Sequence, residues 1–334
     1  MNQSPVGAAP LQSLNQLDAQ RLRYLPVPLF AVVMGIAGLA LAWQRSEEVL
    51  HVPGLTGRAF AWLATAAFLA ITVGYLAKVV RYPAEVLKEL RHPVRVNFFA
   101  TISIGLVLLA SLAAEPAPAL ARSLWTAGAA LHLAFTVYVV SAWIHRTGIE
   151  IAHVNPAWFI PVVGNVLLPI AGVRFYPADV SWFFFSIGIV FWLVLLTIVM
   201  YRLFFHAPLP ERLTPTLFIL VAPPAVSCVS YVSLSGGVDA FARILYYTAL
   251  FLTLLLASNA LRFLRARFFL SAWAYSFPLA AITIASLMMA HRLGGSAFAV
   301  LAAVLLALST MVVLALLWRT AVAVARHEIC VEEP

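Results

Sequence analysis

Ten apolar stretches, most close to twenty residues long, take up most of this chain and leave little from which to build a separate soluble domain. They run over residues 25–44, 59–80, 94–113, 119–143, 157–173, 180–203, 214–234, 239–260, 270–291 and 295–318. A helix of about 20 residues crosses a hydrocarbon core ~30 Å thick. In lipid every backbone N–H and C=O must find its partner within such a segment, which selects the helix. Of the 334 residues 63% are apolar and only 10% are charged, against roughly 25% charged in a soluble domain. The chain reads as an all-α integral membrane protein with ten transmembrane helices.

Three regions follow from this reading. Residues 1–24 form a polar lead with Arg21 and Arg23 just before the first span. They lack the basic start and apolar stretch of a cleaved signal peptide, so they are expected to remain as an N-terminal tail. Residues 25–318 are the ten-helix transmembrane domain, and 319–334 a C-terminal tail. If the N-terminus is cytoplasmic and the spans alternate, fifteen of the 21 Lys and Arg residues fall on the cytoplasmic side. That is the sense of the positive-inside rule, with both termini cytoplasmic in a bacterial inner membrane. Topology and anionic membrane lipid then account for the net charge of +8, and no nucleic-acid partner is needed.

Proline placement divides the segments. The odd-numbered ones contain or begin with Pro26 and Pro28, Pro93, Pro161 and Pro169, Pro215, Pro223 and Pro224, and Pro278; the even-numbered ones contain none. A proline inside a helix costs ~3 kcal/mol in a water-exposed host, so its confinement to alternate segments carries information. Short connections make successive helices antiparallel neighbours. The geometry expected is five helical hairpins, with an inner ring of bent odd-numbered helices inside five straight ones. The competing explanation is that prolines are simply more frequent in membrane helices. The longest charged loop, residues 81–93, is expected to hold a short interfacial helix between Pro83 and Pro93.

The ninth segment carries the sharpest signal. In Ser271-Ala-Trp-Ala-Tyr-Ser-Phe-Pro-Leu-Ala280, Pro278 cannot donate a backbone N–H and its ring crowds the carbonyl of Ala274, which predicts a kink. In lipid such a break is tolerated where protein or a water-filled cavity meets the freed group. This helix is therefore expected to line a pore, with the Phe277 ring lying across it.

Trp273-Ala-Tyr-Ser-Phe-Pro278 resembles the ninth helix of the tellurite-resistance/dicarboxylate transporter family. That family includes bacterial TehA and the plant guard-cell slow anion channel. Pro93-Val-Arg-Val-Asn-Phe-Phe-Ala100 is similar to its entry into the third helix, and Asn155-Pro-Ala-Trp-Phe-Ile-Pro-Val-Val-Gly-Asn165 to its fifth-helix region. The resemblance covers about residues 25–318. It implies a homotrimer of independent pores that pass anions, each gated by a phenylalanine that maps onto Phe277, next to Pro278. A glycine frequent in the family's first helix aligns with Ala31, which puts the local pore width in question.

The residue inventory agrees with an anion pathway. All thirteen acids lie outside the apolar segments or at their ends, whereas a buried carboxylate usually marks a cation site or proton relay. Pore-lining candidates are Ala31, Asn97, Thr101, Asn165, Ser227, Tyr275 and Ser276. Their hydroxyl and amide donors could replace part of an anion's hydration shell, or bond to neighbouring helices and carbonyls instead. His132, alone deep in a span, reads as a packing residue. Cys228 and Cys330 have neither disulfide nor metal-ligand spacing, so no cofactor or metal is expected. Three function classes remain: an anion channel for chloride, nitrate and similar ions; a carrier of oxyanions or dicarboxylates such as tellurite, sulfite or malate; and a membrane enzyme. The last lacks clustered histidines or a nucleophilic triad, and the channel reading is preferred.

Overall fold

The computed structural model describes residues 21–331 except residue 266. The expected N-terminal tail therefore lies almost wholly outside the described residues, as do the last three residues of the C-terminal tail. Among the described residues nine helices are long and apolar enough to span a membrane, and a shorter apolar one completes the set. We label them α1 (Val27–Leu50), α2 (Leu55–Arg81), α3 (Arg95–Ala113), α4 (Pro118–His145), α5 (Pro156–Gly172), α6 (Ala178–Phe205), α7 (Glu211–Ser235), α8 (Ala240–Ala257), α9 (Leu270–Leu293) and α10 (Ser296–Ala325). The C-terminal helix runs seven residues past the apolar segment that the sequence marks. The charged loop folds as the amphipathic helix Pro83–Arg91.

Helix ends follow local chemistry. Pro118 and Pro83 occupy first-turn positions, where a missing N–H is not needed. The Asp239 carboxylate accepts from Ala242 N at 3.0 Å and caps α8. Gly236, at φ 81°, ends α7 in the left-handed region.

The two proline classes differ in backbone geometry. The even-numbered helices are continuous α-helix. Each odd-numbered one opens with a 3-10 stretch: Val27–Phe30, Arg95–Phe99, Pro156–Trp158, Glu211–Leu220 and Leu270–Tyr275. Burial divides the same way. In the most apolar window of α1, α3, α7 and α9, 67–78% of residues are buried, against 22–33% in the even-numbered helices. The 3-10 openings touch in a closed circuit, α1 to α3 to α5 to α7 to α9 and back to α1. Each odd-numbered helix also packs against the even-numbered helix that follows it. We call the end of the bundle where these 3-10 stretches meet proximal, and the other end distal.

One charged group departs from its expected place. Glu89, read as part of a surface loop, is buried. It pairs with Lys78 at 3.1 Å and accepts from the Tyr75 hydroxyl at 2.6 Å. Lys78 also donates to Leu25 O at 2.7 Å, so this cluster fastens the start of α1, the end of α2 and the amphipathic helix together.

Candidate functional site

The site is built where α9 changes geometry. The 3-10 stretch ends at Tyr275 and α-helix begins at Ser276, which places Phe277 and Pro278 in the first α-helical turn. The N–H that Pro278 lacks falls just after the change from 3-10 to α-helix, so the interruption takes the form of a switch of helix type within α9.

Two glycines let α1 approach this turn closely. A Cβ on Gly35 would stand 2.1 Å from Ser276 Oγ, and one on Gly38 would stand 3.0 Å from Phe277 Cδ2. The ring rests against bare backbone.

Three cavities meet at this ring, and among their lining residues Phe277 alone borders all of them. The distal one, about 520 Å³, is lined by Arg45, Glu48, Arg58, Glu115 and Arg174, and deeper by Val226, Ala281 and Ile284. A proximal cavity of about 50 Å³ is bounded by Ala31, Met34, Phe98, Thr101, Ala274 and Pro278. Another of about 60 Å³ lies towards α5, beside Ile104, Ile160, Gly164, Leu167 and Pro223. The helical residues lining these cavities come from odd-numbered helices, Arg58 excepted.

Charge is segregated along this line. Of these three cavities the distal one alone is bordered by arginines and glutamates; there Arg45 meets Glu48 at 3.7 Å and Arg174 meets Glu115 at 3.6 Å. The two smaller cavities are almost wholly apolar. The Thr101 hydroxyl at the proximal cavity is occupied, donating to Phe98 O at 2.5 Å. Such a lining holds water poorly and gives an ion nothing to exchange for its hydration shell.

The structure places the other candidates as follows. Ala31, Thr101, Phe277 and Pro278 share the proximal cavity. Ser276 turns towards Gly35 and donates to Trp273 O at 2.6 Å. The Asn97 amide donates to Pro93 O and Val94 O, both at 3.2 Å, at the start of α3. The Asn165 amide donates to Thr136 Oγ1 and Val162 O, both at 2.8 Å, and so faces α4. Ser227 is fully buried, and Tyr275 packs its ring against Phe218 with centroids 4.8 Å apart. None of these five lines the three cavities. The structure brings forward residues the sequence reading passed over: Gly38, Met34, Ile219, Ala222 and Val226. Gly35 and Gly38 were the available signal, since small residues on a membrane helix let a neighbour approach closely.

His132 is fully buried, with Nδ1 2.9 Å from Ser103 Oγ and its ring against Gly164, which fits the packing role expected for it. Among the described residues there is no group of three or more His, Cys, Asp or Glu arranged to hold a metal ion.

Residues 24–321 match the family described as voltage-dependent anion channel. The chain is 30% identical to the S-type anion channel SLAH3 of Arabidopsis thaliana over 307 residues, 90% of this chain and 48% of that protein. It is 29% identical to the S-type anion channel SLAH2 of the same plant over 302 residues, 88% of this chain and 58% of the relative. It is 26% identical to the tellurite resistance protein TehA homolog of Haemophilus influenzae over 224 residues, 66% of this chain and 68% of the relative. The chain thus spans about half the length of these two plant channels.

Proposed function

This chain belongs to the voltage-dependent anion channel family, and on that premise we propose that it passes small anions such as chloride and nitrate through a pore closed by Phe277. The pore is enclosed by α1, α3, α5, α7 and α9, each paired with the next helix as one of five hairpins. The closed circuit of contacts among the odd-numbered helices and their greater burial support this arrangement. The observation that carries the gate is that Phe277 borders the distal, proximal and α5-side cavities together. An apolar ring among apolar walls excludes water, so a hydrated ion meets a dewetting barrier until the ring moves. The distal approach carries three arginines, Arg45, Arg58 and Arg174, balanced by Glu47, Glu48 and Glu115, so it is charged and wet without a net positive excess. The family resemblance further supports a homotrimer, and the distribution of Lys and Arg supports both termini on the cytoplasmic side of a bacterial inner membrane.

The test is anion current through wild type and Phe277→Ala in planar bilayers or oocytes, with chloride, nitrate and malate compared. A channel closed by this ring gives much larger, weakly saturating currents when the ring is removed. Loss of transport in Phe277→Ala, or flux strictly linked to protons, would favour a coupled carrier and overturn the proposal.

A further inference from the structure

α10 borders none of the cavities that meet at Phe277, yet its hydroxyl groups reach both helices that hold the ring. Thr310 Oγ1 donates to Leu306 O at 2.7 Å and accepts from Trp43 Nε1 of α1 at 3.1 Å. Next to it, Ser309 Oγ lies 3.1 Å from Thr283 Oγ1 of α9. Thr283 already donates to Leu279 O at 2.7 Å, which makes Ser309 the donor between them. Further along α10, Thr320 Oγ1 accepts from Trp273 Nε1 of α9 at 2.9 Å.

These bonds bracket the gate. Trp273 precedes Phe277 by four residues and Thr283 follows it by six, while Trp43 lies five residues beyond Gly38. Ser309 and Thr310 are consecutive but grip different helices, so one point on α10 locks α1 against α9. Trp273, Thr283 and Ser309 are essentially fully buried. In a water-free interior their polar groups have no substitute partner, and breaking a bond strands both ends.

We propose that α10 sets the resting width of the gate: by fastening α1 to α9 it holds Gly38 against the Phe277 ring. Opening then occurs by rotation of that side chain while both helices stay in place. This inference rests on the reading of Phe277 as the gate.

The experiment compares resting anion currents of Thr310→Val, Trp43→Phe and the double variant, in wild-type and Phe277→Ala backgrounds at matched surface expression. Each single change should raise the wild-type resting current about threefold, the population shift that one interhelical hydrogen bond in a membrane supports. The double variant should equal either single, because both remove the same bond. Currents through Phe277→Ala should stay unchanged, since no ring is left to hold. Additive singles, or proportional increases in the Phe277→Ala background, would mean general loosening of the bundle and overturn the proposal. Unchanged resting currents alongside a conducting Phe277→Ala would also overturn it while leaving the gate intact. A silent Phe277→Ala would remove the gate reading itself. Should Trp43→Phe not reach the membrane, Thr310→Ser keeps the hydroxyl and replaces it in the comparison. Equal resting currents in Thr310→Ser and Thr310→Val would then count against α10.

Discussion

Phe277 Cδ2 lies 3.0 Å from the point where a Cβ on Gly38 would stand, and Ala280 Cβ lies 3.1 Å from the same point. The seam between α1 and α9 has no room for one more carbon at the ring. Gly38→Ala should crowd the seated ring by about 1 kcal/mol and raise the resting anion current about fivefold. In Phe277→Ala the added methyl meets no ring and the current should not change further. Equal effects in both backgrounds would show that the glycine serves helix packing alone.

A second glycine, beside the α5-side cavity, predicts a stability effect. A Cβ on Gly164 would fall 2.7 Å from His132 Cε1 and 2.8 Å from Nε2, and that imidazole is fully buried. Gly164→Ala should cost about 2 kcal/mol through overpacking, seen as a lower midpoint of thermal unfolding in detergent. Adding His132→Ala should recover part of the loss, and no recovery would contradict the geometry.

The buried cluster at the proximal end predicts a strong asymmetry between single and paired changes. Lys78 and Glu89 meet at 3.1 Å with side chains 2% and 6% exposed. Removing one partner leaves an uncompensated charge, so Glu89→Leu alone should lose about 3 kcal/mol. Lys78→Met with Glu89→Leu should recover part of it, because the unpaired charge is gone while the Tyr75 hydroxyl and Leu25 O still lack their partners. Thermal unfolding of the three variants decides the matter, and a double variant worse than the single would refute it.

A pH effect is expected at the same end. Glu85 accepts from Arg23 at 2.5 Å and from Lys88 at 3.1 Å, and these cations hold its carboxyl below the usual glutamate value. A depressed carboxylate contributes stability that is fully present above its unfolded pKa and lost as pH falls through the folded one. Wild type should therefore lose more stability than Glu85→Gln when titrated from pH ~6 towards pH ~3. Parallel pH profiles would show that this pair contributes nothing.

What was legible in the sequence was whatever depends on length and composition. The ten segments declared themselves because lipid demands long apolar helices, and the alternation of prolines marked the helices that carry 3-10 openings. Phe277 stood out because it sits beside Pro278. Which way a polar side chain turns was not legible. The odd-numbered helices are apolar all round, so no periodic face distinguishes cavity from neighbour. The amide of Asn165 turns to Thr136, a partner that exists only once the chain is folded, whereas the hydroxyl of Ser276 closes on the local carbonyl of Trp273. Gly38 was hidden for a related reason: the glycine was sought at the position of Ala31, whereas the close approach lies two turns further along α1. Burial of Glu89 followed from Lys78 at the end of another helix, a pairing that spacing does not reveal.

The 3-10 opening of α7 spans ten residues, Glu211–Leu220. At about 2.0 Å per residue against 1.5 Å, it is some 5 Å longer than the same residues wound as α-helix. Its buried positions are Pro215, Thr216, Ile219 and Leu220. An inserted residue can be absorbed by rewinding part of the stretch as α-helix, which packs more residues into the same length, whereas a deletion leaves too few residues to cover it. Length variation in this stretch should therefore be tolerated as insertion more readily than as deletion.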